Sequence, residues 1–163
     1  MTLRNIKNKD NAELAILLRS VLIEMGVPKT GTAYEDPELD AMCQAYERAR
    51  SAYFVIESEG VLLGGAGVSP LRDGSPEICE LQKMYFSPLA RGKGWGDLMI
   101  EHCLTFAQAQ QFKKCYIETM PNMQAAQKLY QKKGFEYIEG PLGKTGHNNC
   151  SVWMLKKSLN DPN

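Results

Sequence analysis

The chain has 163 residues, 44% of them hydrophobic, and its 19 lysines and arginines balance its 19 aspartates and glutamates. This length and this apolar content predict one domain, spanning residues 1–163, with a single ordinary core. A formal net charge of zero argues against broad electrostatic attraction to nucleic acid or to an anionic membrane.

The spacing of apolar residues along the chain predicts seven strands and four helices. In chain order these are a strand at 3–6, helices at 14–25 and 37–49, strands at 52–56, 61–68 and 78–86, a helix at 96–107, a strand at 115–120, a helix at 123–130, and strands at 135–138 and 151–155. The glycines of the 61–68 run indicate that another group approaches its backbone closely within the sheet.

The fourth predicted strand is irregular in its alternation. Leu81 occupies the odd register, whereas the apolar residues Met84 and Phe86 occupy the even one. A change of facing in the middle of a strand predicts a β-bulge. Such a bulge frees backbone groups from the ladder and makes them available to a ligand.

A glycine-rich turn joins this strand to the next helix. Gly92, Gly94 and Gly96 allow the backbone to approach a ligand closely, and the following helix offers unpaired amides at the positive end of its dipole. Arg91 and Lys93 add positive charge. The run is not a Walker A loop, because Gly-Lys is followed by glycine, and it lacks the spacing of a dinucleotide fingerprint. It predicts a pyrophosphate site, with a flexible turn as the alternative interpretation.

The cysteines and the amino-terminal residues bear on the compartment. The five cysteines are scattered, without Cys-x-x-Cys spacing or paired histidines, so we expect free thiols and no metal. The amino terminus shows no apolar segment of the kind found in secretory signals, and no run approaches the roughly 20 apolar residues that cross a bilayer. These features predict a cytoplasmic protein.

The element order and two motifs resemble the GCN5-related N-acetyltransferase (GNAT) superfamily over nearly the whole chain. The family's Q/R-x-x-G-x-G/A motif is met at residues 91–96, and its N-x-x-A-x-x-x-Y helix is met at residues 122–130, with Ala125 or Ala126 as the alanine. The resemblance implies an α/β fold with a twisted mixed sheet of about seven strands, flanked by four helices. The fourth and fifth strands of that sheet are expected to splay apart.

The resemblance further implies acetyl-coenzyme A as the donor. Its pyrophosphate is expected on the glycine loop and its pantetheine arm in the splay, paired with strand backbone as an added strand would be. The residues expected to bind it are Met84, Tyr85, Phe86, Arg91, Gly92, Lys93, Gly94, Trp95, Gly96, Asn122, Ala125 and Tyr130.

Acylation of an amine needs a base, because an amine with a pKa of about 10.4 is protonated at neutral pH. Glu80 stands just before the expected bulge, where members of the family often carry such a carboxylate, and a strand carboxylate paired with a surface lysine is the alternative. Tyr130 is expected to protonate the leaving thiolate, although it also suits an ordinary amphipathic helix face. Cys150 follows His147 by three residues and is a weaker candidate, as a nucleophile.

Few features of the sequence indicate the identity of the acceptor. By analogy it meets Glu24, Tyr34 and His147, and we expect the primary amine of a small molecule, transferred to directly in a ternary complex. A protein or peptide amine is the second acceptor class, and a non-catalytic acyl-coenzyme A sensor is the alternative function. A homodimer is expected, with neither nucleic acid nor membrane as a partner.

Overall fold

A computed structural model describes residues 1–146 and 150–160, which form one mixed sheet with helices on both faces. The strands are β1 (Thr2–Asn5), β2 (Ala52–Ser58), β3 (Val61–Pro70), β4 (Ile78–Phe86), β5 (Lys114–Thr119), β6 (Glu136–Ile138) and β7 (Val152–Lys156). The α-helices are α1 (Asn11–Glu24), α2 (Met42–Ala45), α3 (Trp95–Ala109) and α4 (Gln124–Lys132). The expected α/β fold is confirmed. None of the helices in these residues is both long and apolar enough to span a membrane.

The sheet runs in the order β1-β2-β3-β4-β5-β7-β6. Every neighbouring pair is antiparallel except β4 and β5, which are parallel. Their shared ladder extends only from Ile78 opposite Lys114 to Glu80 opposite Tyr116. The two strands separate beyond that point, as the resemblance implied, and no strand among the described residues pairs with the remainder of β4 on this side.

Alternating side chains of the sheet feed two apolar layers. On β2, Phe54 and Ile56 join the larger core, which lies beneath α3 and α4. Tyr53 and Val55, which alternate with them along the strand, join a second cluster beneath α1 and α2. Because side chains of a strand point to opposite faces in turn, a fully apolar run such as this one belongs to a strand covered on both sides.

The predicted helix over 37–49 was wrong in its extent. The structure has a 3₁₀ turn over Pro37–Ala41 and then the short helix α2. Between them, Ala41 leaves helical geometry with φ −141° and ψ 47°. Leu39, Met42 and Tyr46 are all buried against the sheet, so tertiary packing overrides the helical pattern here.

The predicted bulge in β4 is confirmed. Pairing with β3 passes from Gly65 opposite Tyr85 to Gly67 opposite Gln82, so β4 contains one extra residue between these pairs. Lys83, within that stretch, has φ +49°, a left-handed conformation that a residue with a side chain rarely adopts.

The glycines of β3 meet aromatic rings, which confirms the expected close approach within the sheet. A Cβ added to Gly67 would lie 2.5 Å from the ring of Tyr46, and one on Gly65 would lie 2.5 Å from the ring of Tyr53. The two rings contact each other, with centroids 5.2 Å apart. The two rings therefore cover one face of β3, the strand that pairs with the bulged part of β4.

Candidate active site

The glycine loop forms an open cradle at the start of α3. Gly92 has φ +69° and Gly94 has φ +80°, and a Cβ added to either would meet no atom within 4 Å. Gly94 is the N-cap of the 15-residue helix α3, whose first amides have no partner within the helix. Open space in front of unpaired amides at the positive end of a helix dipole fits an anionic phosphate group.

Both cationic side chains of the loop have hydrogen-bond partners in the structure. Both terminal nitrogens of Arg91 donate to the carboxylate of Glu24, at 2.6 and 2.9 Å, and its Nε donates to the carbonyl of Phe86 at 2.9 Å. The hydrogen bond from Arg91 lowers the pKa of Glu24. Lys93 Nζ donates to the carbonyl of Leu89 at 2.8 Å. Arg91 therefore ties the end of α1 to the loop.

A groove leads from the loop between β4 and α4. Most of the residues expected to bind the donor line it: Met84, Tyr85, Phe86, Arg91, Gly92, Gly94, Gly96, Ala125 and Tyr130. The other three do not. Trp95 packs against the main core, Lys93 bonds the loop itself, and Asn122 donates to the carbonyl of Met25 at 2.9 Å.

The groove continues into the gap between β4 and β5, which we call the channel. The channel is narrow, with a volume of about 60 Å³, and Ile117 and Thr119 of β5 form one of its walls. Met84, Tyr85 and Tyr130 line both the groove and the channel. The unpaired edge of β4 beyond Glu80 borders this space.

Tyr130 lies where the groove and the channel join. Its ring packs against Phe135, with centroids 6.0 Å apart, and the side chain is buried. No side-chain polar atom that is fully buried within the described residues lacks a hydrogen-bond partner. Since no described residue bonds the Tyr130 hydroxyl, this oxygen reaches the open space of the cavity. Burial raises the pKa of Tyr130, so the phenol keeps its proton at neutral pH.

Glu80 stands at the other end of the channel. Its side chain is only 3% exposed, and its Oε2 accepts a hydrogen bond of 2.7 Å from Gln82 Nε2. The Oε1 atom of Gln82 in turn accepts one of 2.7 Å from the hydroxyl of Tyr46. Because Tyr46 donates to the amide oxygen, the amide nitrogen is directed at the carboxylate, and the orientation of Glu80 is fixed.

Beyond Glu80 lies a third cavity of about 700 Å³, which we call the cleft. This size is typical of small-molecule sites. Its lining is largely polar and consists of Asp36, Pro37, Glu38, Arg48, Ala49, Ser51, Ser69, Pro70, Leu71, Arg72, Glu80, Gln82, Lys83 and Thr145. Glu80, Gln82 and Lys83 line both the channel and the cleft, so the channel adjoins the groove on one side and the cleft on the other.

The residues expected to meet the acceptor are not gathered at the cleft. Glu24 pairs with Arg91 at the loop, and Tyr34 lies in a 3₁₀ turn with Lys29 over its ring. His147 falls outside the described residues. Ser69 and Arg72 line the cleft, and no sequence pattern singled them out. The pairing of β3 with β4 places Ser69 opposite Glu80.

Cys150 lines the channel but is poorly suited to attack. Burial, with smaller contributions from Glu118 and Glu80, raises the pKa of its thiol to about 12. The reactive form of cysteine is the thiolate, and this environment keeps Cys150 protonated at neutral pH.

Comparisons with known proteins agree with this geometry. The model of the Acetyltransferase (GNAT) family matches residues 20–135. The chain is 40% identical over 156 residues to the uncharacterized N-acetyltransferase YjgM of Escherichia coli K12, covering 95% of this chain and 93% of that protein.

Two solved structures share the fold. A GNAT acetyltransferase of Staphylococcus aureus Mu50 superposes with a TM-score of 0.85 at 16% identity, covering 98% of this chain and 99% of that one. YncA of Salmonella typhimurium, a putative acetyltransferase solved with its cofactor acetyl-CoA, superposes with a TM-score of 0.78 at 16% identity, covering 100% and 96%. Because the family model matches most of this chain, the chain belongs to the acetyltransferase (GNAT) family.

Proposed function

We propose that this acetyltransferase moves the acetyl group of acetyl-CoA to the primary amine of a small molecule, by direct attack while both are bound. The adjacency of the groove, the channel and the cleft carries the proposal. Tyr130 lines both the groove and the channel, and Glu80 lines both the channel and the cleft. A proton donor and a proton acceptor thus stand at opposite ends of one short passage.

The groove and the loop suit the donor. Acetyl-CoA, when bound, supplies the acetyl group as a thioester. Gly92, Gly94 and the first amides of α3 would hold its pyrophosphate. The unpaired edge of β4 offers backbone groups to an extended amide-bearing arm, in the manner of strand addition.

Glu80 is the base in this mechanism. Neutralising an amine with a pKa of about 10.4 costs about 4 to 5 kcal/mol at pH 7, so a positioned proton acceptor contributes directly to the rate. Glu80 faces the cleft, and Gln82 holds its Oε2. The proton of an amine entering from the cleft passes to this carboxylate, directly or through a water molecule.

Tyr130 is the acid. Its protonated hydroxyl opens on the cavity at the groove end of the channel, and it can pass that proton to the departing sulfur. The phenol of Tyr130 lines both the groove and the channel. The thiol of Cys150 stays protonated and is therefore a poor nucleophile. Direct transfer therefore needs no covalent acyl-enzyme.

A thiol-release assay with acetyl-CoA tests the proposal. The acceptors are amino acids, polyamines, aminoglycosides and peptides, and the enzymes are wild type, Glu80→Gln and Tyr130→Phe. We expect release with a small amine and a loss of kcat of about a hundredfold or more in Glu80→Gln. Calorimetry should show coenzyme A binding equally well to all three proteins.

Matched controls are available on the surface. Glu136→Gln and Tyr137→Phe alter exposed residues of β6 and should leave turnover unchanged. Release with peptides alone would indicate a protein acceptor. Intact coenzyme A binding without release on any acceptor would instead indicate a sensor.

A further inference from the structure

We propose that the acceptor carries a carboxylate as well as its amine, and that Arg72 binds this carboxylate in the cleft. The inference rests on the proposed function and narrows the acceptor to amino-carboxylates, such as free amino acids. Its basis is the distribution of charge partners among the cations that line the cleft.

Of the three cations among the described residues that line the cleft, two are already paired with acids. Lys83 Nζ lies 3.1 Å from Asp36 and 3.4 Å from Glu38. Arg48 lies 3.3 Å from Glu38 and also donates to the carbonyl of Ala45. These contacts stabilise the wall of the cleft and leave neither charge available for a ligand.

The third cation is available. Arg72 lines the cleft, and within residues 1–146 and 150–160 no acid or acceptor bonds its guanidinium. A guanidinium binds a carboxylate through two parallel hydrogen bonds, a geometry that a lysine does not reproduce. An anionic group of a ligand would therefore find its partner here.

The backbone of Arg72 is fixed, although the side chain is exposed. The amide of the preceding residue, Leu71, donates to Ile78 at 3.0 Å, and the carbonyl of Arg72 accepts from the amide of Lys144 at 2.8 Å. A Cβ added to Gly143, which has φ +65°, would lie 2.3 Å from that carbonyl. Only glycine permits this approach, so the fold anchors the base of the Arg72 side chain.

The distance from the base suits a small acceptor. Ser69 is the register partner of Glu80, and Arg72 follows three residues later. Three residues of chain span at most about 11 Å, which an arginine side chain and a short amino acid together can bridge. The hydroxyls of Ser51 and Ser69, 3.1 Å apart, also line the cleft and can hydrogen-bond the ligand.

The same arrangement disfavours a polyamine. With its amine at Glu80, a second ammonium near Arg72 would meet a like charge, which destabilises binding. A carboxylate in that position would instead be attracted. Arg72 therefore separates two acceptor classes that both contain a primary amine.

The test measures thiol release with matched acceptor pairs. Each α-amino acid, β-alanine and γ-aminobutyrate is compared with the amine that lacks its carboxylate. We expect kcat/KM to be about tenfold or more higher with the carboxylate. Arg72→Gln should abolish that preference, mainly through KM, and Arg72→Glu should turn it toward diamines.

Lys144→Gln is the matched control. This exposed lysine follows Gly143 and lines a neighbouring cavity rather than the cleft, so its loss should leave the preference intact. Thermal unfolding should show all three variants folded, because both side chains are exposed.

Three results would overturn the inference. Equal kcat/KM for both members of every pair, or an unchanged preference in Arg72→Gln, would remove Arg72 from acceptor binding and leave the proposed function standing. Absence of release with every acceptor, despite coenzyme A binding, would overturn the proposed function, and the inference with it.

Discussion

The hydroxyl of Tyr53 donates a hydrogen bond of 2.9 Å to the carbonyl of Lys83, the left-handed residue of the β4 bulge. A non-glycine residue in this conformation costs about 1 to 3 kcal/mol and persists only where its surroundings hold it. Here Tyr53 holds the backbone, and Asp36 and Glu38 hold the side chain. The bulge is thereby fixed between the cleft and the channel.

Tyr53→Phe should therefore weaken both stability and turnover. The change keeps the ring but leaves a buried carbonyl without its donor, at a cost of about 1 to 3 kcal/mol in the free energy of unfolding. Urea denaturation measures this loss, and thiol release should fall as the bulge relaxes. Tyr137→Phe is the comparison: its side chain is 51% exposed and its hydroxyl donates to Gln127 at 2.8 Å, so the loss of stability should be smaller than in Tyr53→Phe. Unchanged stability would show that Tyr53 does not hold the bulge.

Gly94→Ala should separate binding from folding when it is compared with Gly60→Ala. Both glycines have φ +80°, and a Cβ on either meets nothing within 4 Å. Each substitution should cost about 1 kcal/mol of stability through left-handed strain. Only Gly94→Ala places a methyl group at the cradle, so calorimetry should show coenzyme A affinity falling about tenfold in that variant alone. Equal affinities would argue against the cradle.

Glu24→Gln should strengthen coenzyme A binding. It removes a negative charge beside the loop and releases Arg91, so the dissociation constant should fall about two- to fivefold at low salt and less at high salt. Asp40→Asn is the control, because Asp40 holds Arg19 in a similar two-bond pair at 2.5 and 2.9 Å and lines neither the groove nor the channel. Weaker binding in Glu24→Gln would mean that the pair positions the loop.

Gln82→Leu and Tyr46→Phe should impair the base without touching the donor. Each change removes one of the two hydrogen bonds, Tyr46 to Gln82 and Gln82 to Glu80, that orient the Glu80 carboxylate. We therefore expect kcat to fall while coenzyme A affinity stays constant. Loss of the amide donor disfavours the charged carboxylate, and the acid limb of the pH–rate profile should therefore move to higher pH in Gln82→Leu. Identical pH profiles in wild type and variant would exclude this positioning role.

Asp10→Asn should reveal a pH-dependent contribution to stability. Burial alone would raise the pKa of Asp10, but hydrogen bonds from Arg4, at 2.7 and 3.1 Å, and from the amide of Lys7 outweigh it and lower the pKa below 3.8. The charged form stabilises the fold above the unfolded-state pKa of about 3.9, and this stabilisation is lost as pH falls through the lowered folded-state value.

Urea denaturation across pH measures this contribution. At pH 7 the variant should be less stable than wild type by about 2 kcal/mol, and the difference should shrink below about pH 4. A difference that stays constant down to pH 3 would contradict this assignment. Asp40→Asn, at an exposed pair, should show a much smaller loss.

The features that were predictable from sequence are those written in short stretches of chain. The glycines at 92–96 and the apolar stripe that follows them predict the loop and α3. The shift of facing between Leu81 and Met84 predicts the bulge, because side-chain alternation in a strand is strict. The aromatic partners of the glycines in β3 could not be named, although their close contact was expected.

The features that were missed depend on contacts between distant residues. Glu24 and Arg91 are 67 positions apart, and Tyr46 reaches Gln82 across 36 positions. The helix predicted over 37–49 gives way to a 3₁₀ turn and four helical residues, because burial of Leu39 and Tyr46 fixes the backbone. No local pattern marks Arg72, whose place in the lining of the cleft becomes clear only in the folded chain.

The narrowness of the channel, at about 60 Å³, divides the molecule into two separately adjustable halves. The groove, which we propose binds coenzyme A, is built from the start of α3 and from α4. The cleft, which we propose binds the acceptor, is built largely from β3 and the segments around residues 36–51 and 143–145. If the proposed function holds, substitutions in the cleft should change the acceptor while the affinity for coenzyme A is preserved. The same scaffold could then serve different acceptors.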